Sequence, residues 1–442
     1  MEQTASLKQR LDLTRETPLF YRVFAMIAAG MILDAGDVYM ASAINSTLIQ
    51  THFATLFQGS LFLSAGFLGL FVGSIAAGFI GDFFGRKRAY QTNLLIFGVF
   101  TILGAFAPTI QLLIAARFCA AIGLGAEIVT GYALINEFAP VKTRGRWSGI
   151  TAVVANLGAP VTLLIATIMI PNLGWRSMFI LIGILALILW VARRHFPESP
   201  RWLLARDRCA EAEAIITELE KNGSYQRENQ VAPTAKVETN IGRGLFVAIV
   251  AVSAVMLCQY TFTSWVPTLL VKRGINVVHS LGFSTIMMIG APVGAIIGAA
   301  LVDRIGRKKV IAPTFVITAF LGLLYAHQDA TTGVLIVGFL LTTGFYVLMA
   351  AVVGVYMSEL FPTYFRFRGT GYANGVAKLL TVLTPYLAAW AISRVSPNLI
   401  FYFIAALALI AAVVVQFFGP ETKQKITRNV NSSATPWSQT VS

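Results

Sequence analysis

The stretch GDFFGRKR at 81–88 returns as VDRIGRKK at 302–309. Asp82, Gly85 and Arg86 of the first copy match Asp303, Gly306 and Arg307 of the second, an offset of 221 (303 less 82). Two more signatures keep nearly the same distance. Glu137, Pro140 and Arg144 match Glu359, Pro362 and Arg366 at 222 (359 less 137), and Pro197-Glu198 matches Pro420-Glu421 at 223 (420 less 197). Chance does not easily give three signatures one offset. The chain reads as two copies of one unit, joined in tandem.

Composition says what the unit is made of. Of 442 residues, 56% are hydrophobic and 12% charged, against roughly 25% charged in an ordinary soluble domain. A soluble enzyme, a nucleic-acid binder and a disordered chain are excluded, because each needs more polar surface. Twelve apolar runs are long enough to cross a bilayer, which takes about 20 residues. They lie near 22–48, 58–80, 90–107, 111–137, 148–170, 175–193, 244–271, 279–301, 309–327, 332–359, 370–393 and 398–418. Gly-rich stretches at 65–81 and 290–299 suit close helix–helix approach. The expected fold is all-α: twelve transmembrane helices in two six-helix pseudo-symmetric bundles. The expected divisions are 1–193, a linker with short helices at 194–243, 244–421, and a polar tail at 422–442.

The net charge of +14 fits membrane topology better than nucleic acid. With both termini inside, 28 of the 34 Lys and Arg fall in cytoplasmic segments. Arg176, Lys272, Arg273 and Arg394 fall outside, and Arg117 and Lys378 fall within spans. That asymmetry sets orientation. Residues 1–22 show no signal-peptide pattern. Short outer connections suggest a bacterial inner membrane. Cys119, Cys209 and Cys258 are too scattered for a disulfide framework or a metal site.

The Asp-x-x-Gly-Arg-Lys loops resemble the signature of the major facilitator superfamily. RFCAAIGLGAE at 117–127, NEFAPVKTRG at 136–145, PESPRWL at 197–203 and SELFPTYFR at 358–366 resemble its sugar-porter and organic-ion branches. The resemblance covers essentially the whole chain. It implies a transporter that rocks two halves about a site at the midplane, and not an enzyme. It also implies a cytoplasmic gate built from Asp82, Arg86, Glu137, Arg144, Asp303, Arg307, Glu359 and Arg366, with Glu198 and Arg201 in the same network. Opposite charges at helix ends can close such a gate by charge-assisted hydrogen bonds.

Ionisable residues inside spans are the sharpest functional signal, since each costs roughly 2.5–3.5 kcal/mol at a helix centre. Five stand out: Asp34, Asp37, Arg117, Glu127 and Lys378. Asp34 and Asp37 share a helix face, being three apart. Two nearby carboxylates in a low dielectric do not easily both ionise, which is what a proton carrier needs. LDAGDVY at 33–39 resembles the Asp-Gly-x-Asp stretch of aromatic-acid:proton symporters, with Ala35 at the glycine position. In sugar porters the arginine matching Arg117 pairs with the first-span aspartate, here Asp37. Glu127 reads as a second proton site, a substrate contact or a structural group.

Lys378 reads as the electrostatic seat of an anionic substrate, or as a lysine that snorkels to the interface. Gln259, Tyr260, Thr263, Tyr346, Met349, Tyr356 and Tyr386 are the remaining candidate contacts, each more often packing than ligand when taken alone. AAVVGVY at 350–356 replaces the Pro-Trp pair usual in the tenth sugar-porter span, and Cys258-Gln259 replaces paired glutamines. The expected function is proton-coupled symport of a small organic anion, an aromatic or heterocyclic carboxylate such as a benzoate-like acid or nicotinate. A sugar porter, a drug exporter and a non-transporting transceptor are the alternatives. No cofactor, metal or nucleic acid is expected; the partners are protons, the organic anion and the lipid bilayer, and the chain reads as a monomer.

Overall fold

The structure is a computed structural model and describes residues 2–221, 240–272 and 274–422. Most of the 194–243 linker after Lys221, Arg273 and the tail beyond Thr422 lie outside the described residues.

The described elements are helices. A short helix α1 (Glu2–Asp12) precedes the first span, α2 (Pro18–Gln50). There follow α3 (Leu56–Phe84), α4 (Arg86–Ala105), α5 (Ile110–Phe138), α6 (Arg144–Leu173) and α7 (Arg176–Ala192). Two short helices, α8 (Pro200–Ala205) and α9 (Cys209–Leu219), come next. The seventh span is α10 (Ile241–Lys272). The eighth is broken into α11 (Val277–Met288) and α12 (Gly290–Ile305), and the ninth is α13 (Arg307–Ala326). The tenth runs through α14 (Thr331–Leu348), a π-helical stretch over Met349–Tyr356, and α15 (Met357–Glu359). The eleventh is broken into α16 (Thr363–Thr381) and α17 (Thr384–Arg394), and the twelfth is α18 (Leu399–Phe418).

Eleven of the twelve described spans, each broken span counted as one run, are apolar and long enough to cross a membrane. The remaining span, α4, has 20 residues but opens on Arg86, Lys87 and Arg88, which leaves a shorter apolar stretch. The breaks have a local cause. Pro292 and Pro385 each lack an N–H and crowd the carbonyl four residues back, and they sit three and two residues past the broken turns. Thr17 starts α2 by accepting from the Phe20 amide, with Pro18 in the first turn, where its missing N–H costs nothing. Thr55 and Gln58 form a reciprocal capping box on α3.

Within the first half, α3 packs on α5, α4 on α5 and α7, and α2 on α6. Within the second, α12 packs on α14, α13 on α18, and α10 on α16 and α18. Small residues set these distances: a methyl at Gly73 or Gly125 would overlap the backbone of the facing helix, as would one at Gly294. The halves meet through α2 with α10, α3 with α16 and α17, and α6 with α11 and α12. This is the twelve-helix, two-bundle fold the repeat predicts.

Helix α1 lies outside the bundle. Leu7 and Leu11 bury against Ala212, Ile216 and Leu219 of α9. Arg10 bonds Glu220 and Glu213, and the hydrogen bonds it donates to Glu220 hold its guanidinium above the ordinary arginine value.

Candidate substrate and proton site

The two ends of the molecule differ, and the repeat signatures mark one of them. Gly85 and Gly306 have φ of 95° and 118°, a left-handed conformation open to glycine at little cost. Each turns the chain from one span straight into the next helix. Glu198 accepts the Lys87 amide at 3.0 Å, and Glu421 accepts the Arg307 and Lys308 amides at 2.9 and 3.2 Å. The Pro-Glu pairs thus cap α4 and α13, placing carboxylates where helix dipoles favour them. Arg86 pairs with Asp82 and Glu137 at 2.8 and 3.2 Å; Arg307 pairs with Glu359 and Asp303 at 2.8 and 3.5 Å.

These ion pairs stay within one half. No described pair among them reaches across, so the expected gate charges do not join the two bundles here. Arg201 pairs with Asp12 of α1 at 2.5 Å. The Arg144 Nε and Nη2 atoms are buried without a hydrogen-bond partner, and Arg366 is exposed. Bonds between the halves lie elsewhere. Ser42 Oγ donates to the Thr263 and Ser264 carbonyls at 2.9 and 3.0 Å, and Ser64 Oγ to the Val382 carbonyl at 2.9 Å. The Phe57 and Tyr386 rings stand 6.1 Å apart. The molecule is therefore closed at the midplane and toward the end away from the basic loops.

Halfway along the spans the buried charges collect. Asp37 bonds Arg117, with both side chains nearly inaccessible. The guanidinium lies 5.9 Å from the centre of the Phe62 ring, and Gly66 leaves it room. A void of about 10 Å³ touches Arg117 and Ser264, enough for about one water. Glu127 bonds Arg193, which is fully buried. Asp34 is 2% exposed and neither of its oxygens has a partner.

The seam beside these charges carries neutral polar groups. The Tyr39 and Tyr346 hydroxyls bond each other across the halves. Gln259 Nε2 donates to Tyr346 at 3.0 Å and to Tyr39 at 3.4 Å, and its Oε1 is left without a donor. Tyr260 packs on Phe67 at 5.0 Å. Lys378 reaches across the seam, Nζ donating to Ser74 Oγ at 2.6 Å, and no described carboxylate lies within ion-pair distance of it. A larger cavity of about 380 Å³ between α10, α17 and α18 is apolar, lined by Leu387, Trp390 and Tyr402 among others, and holds none of these groups.

Comparison with known proteins fits this geometry. The family model described as "Sugar (and other) transporter" matches residues 38–433. The chain belongs to that family, within the major facilitator superfamily. It is 33% identical to the inner membrane metabolite transport protein YdjE of Escherichia coli (strain K12), over 96% of this chain and 98% of that one. It is 28% identical to the niacin transporter NiaP of Acinetobacter baylyi, over 93% and 96%. Among solved structures it is similar to a partially occluded inward open conformation of the xylose transporter XylE from E. coli, with TM-score 0.72, 18% identity, and coverage of 92% of this chain and 100% of that one. The protein is thus a multi-pass membrane transporter and not an enzyme.

The remaining candidates divide. Gln259 and Tyr346 meet at the seam, while Tyr260, on Phe67, and Lys378, on Ser74, reach across it at their own places. Thr263 takes part through its carbonyl, and Met349 opens the π-helical stretch, a form frequent at functional sites. Tyr386 lies at the closed end. Tyr356 does not join the centre, contrary to expectation: its hydroxyl donates to the Pro420 carbonyl at 2.9 Å, at the basic-loop end. Three residues were not legible. Arg193 stands beside Arg194 at the end of an apolar run and reads as a loop charge, but the buried Glu127 signalled a missing cation. Tyr39 and Tyr90 sit in apolar stretches and carry no local sign of their role.

Proposed function

We propose that the protein imports a small organic anion together with protons by alternating access, the anion being an aromatic or heterocyclic carboxylate. One observation carries the reading: Lys378, at the seam between the halves, holds its ammonium on a neutral hydroxyl with no described carboxylate to balance it. A cation so placed, in a medium of low dielectric, attracts an anion strongly. Arg117 and Arg193, the fully enclosed arginines of the other half, already pair with Asp37 and Glu127, so they do not compete for the substrate. Tyr39, Gln259, Tyr346 and Tyr260 supply hydroxyl, amide and ring faces for a flat carboxylate. The name of the niacin transporter supports the substrate class.

Asp37 and Arg117 are the coupling pair in this reading, with Asp34 and Glu127 as further proton sites. Protonating Asp37 takes its charge away from Arg117 and loosens the bond, which frees α2 to move against α5. The bias of Lys and Arg to one set of loops supports a topology with both termini in the cytoplasm of a bacterial inner membrane. The Asp82, Arg86, Glu137, Arg144 network and its repeat-mates then lie on the inside. They form the gate that engages across the halves when the opposite end opens.

The test is uptake of labelled nicotinate and benzoate into proteoliposomes under an inward proton gradient, with xylose as the competing class. Saturable uptake of the carboxylates, lost in Lys378→Ala and partly kept in Lys378→Arg, is expected. Uptake of xylose alone, indifferent to Lys378, would replace the anion with a sugar.

A further inference from the structure

We propose that Asp34 and Glu127 form one shared proton site arranged around Arg193, separate from the Asp37–Arg117 pair. The inference rests on the proton-coupled reading and adds a residue and a site to it.

The first half buries three carboxylates within its spans, together with Arg117 of α5 and Arg193 just after the end of α7. Arg117 bonds one oxygen of Asp37, and Arg193 bonds one oxygen of Glu127; Asp37 Oδ1 and Arg117 Nε stay unpartnered in their own pair. Asp34 is left over. Its unpartnered state is not isolated, because Arg193 Nε and Glu127 Oε2 are also buried without partners. A spare N–H, a spare carboxylate oxygen and a wholly unbonded carboxyl therefore occupy one region. Leaving such groups unsatisfied is costly, and each one in a folded protein calls for an explanation.

Packing puts them together. The Arg193 Nη2 atom donates to the Met26 carbonyl at 2.7 Å and to the Tyr90 hydroxyl at 2.9 Å. Its guanidinium carbon lies 3.8 Å from the centre of the Tyr90 ring. A methyl at Gly30 would overlap Arg193 and approach Glu127 Oε1 to 2.7 Å. The arginine therefore lies flat on α2 between Met26 and Gly30. Asp34 is four residues beyond Gly30, on the same face and about 6 Å along the axis. The groups acting on Asp34 are Glu127 and Tyr132 of α5, Arg193 after α7, Tyr90 of α4 and Asp37 of its own helix.

The transfer balances. The O–H bond at Asp34 breaks, and the proton forms an O–H bond at Glu127. The arginine N–H that Glu127 accepted moves to the new Asp34 carboxylate. Asp34, Glu127 and Arg193 together carry no net charge before or after. The site lies on the basic-loop side of Asp37, so it is the station between the seam and that end of the molecule. Arg193 is its positioning residue.

Infrared titration of the full chain in lipid, without substrate, reads protonated carboxyl groups directly. Wild type is expected to give two titrating carboxyl bands. Asp34→Asn and Glu127→Gln should each remove the same band, and the double variant should remove nothing more. Asp37→Asn should remove the other band only. Arg193→Lys should move the pH midpoint of the shared band by about one unit or more and leave the Asp37 band in place. Two separate bands for Asp34 and Glu127, lost additively, would overturn the shared site, as would a band that survives both substitutions or does not respond to Arg193→Lys. Because no substrate is present, a wrong anion assignment leaves these outcomes untouched.

Discussion

The two halves agree at their ends and disagree at their centres. At the basic-loop end each half builds the same device: a left-handed glycine, an arginine gripping two carboxylates, and a Pro-Glu carboxylate capping the next helix. At mid-span the symmetry is gone. By the 222 offset Asp37 corresponds to Gln259, Asp34 to Met256, Glu127 to Met349 and Arg117 to Phe339. The first half keeps buried ion pairs where the second keeps amide, thioether and ring. Shared ends suit a rocking motion that both halves must make. Unshared centres suit a division of labour, in which one half handles protons and the other the substrate.

The largest expected effect breaks the comparison at its centre. Glu127→Ala removes the carboxylate that bonds the buried Arg193 guanidinium, a loss of about 3–5 kcal/mol where one partner of a buried pair is removed. Met349→Leu, at the matching position, should cost less than about 1.5 kcal/mol. Thermal unfolding in detergent measures both; equal shifts would remove the asymmetry. Next comes function at the paired positions. Asp37→Asn should abolish accumulation driven by a proton gradient while leaving exchange of substrate across the membrane. Gln259→Ala should instead raise KM, by about tenfold if one hydrogen bond to a charged group is lost. Counterflow and gradient-driven uptake separate the two.

The ends should respond alike. Glu198→Ala and Glu421→Ala each strip a helix N-terminus of its side-chain acceptor, worth about 0.5–2 kcal/mol. Matched drops in unfolding temperature sharpen the symmetry, and a drop in only one would break it. The smallest effect is at Tyr356. Tyr356→Phe removes one bond to the Pro420 carbonyl, about 0.5–1.5 kcal/mol, with substrate affinity unchanged. Tyr346→Phe, at the seam, should alter affinity in the uptake assay.

Much of this was legible along the chain. The repeat of Asp82, Gly85 and Arg86 as Asp303, Gly306 and Arg307 determined the two-bundle fold, because covalent spacing and helix length are properties of the sequence. Asp34, Asp37, Arg117 and Glu127 announced themselves, because charge is costly in any apolar span. Partnership was another matter. Which cation serves Glu127, that Tyr39 meets Tyr346, that Lys378 reaches Ser74 and that Tyr356 turns away from the centre were decided only by packing. Those contacts join residues tens to hundreds of positions apart, and they depend on the direction each side chain takes when one helix face closes on another. A string of residues records the cost of burying a charge, but only the folded arrangement selects what compensates it.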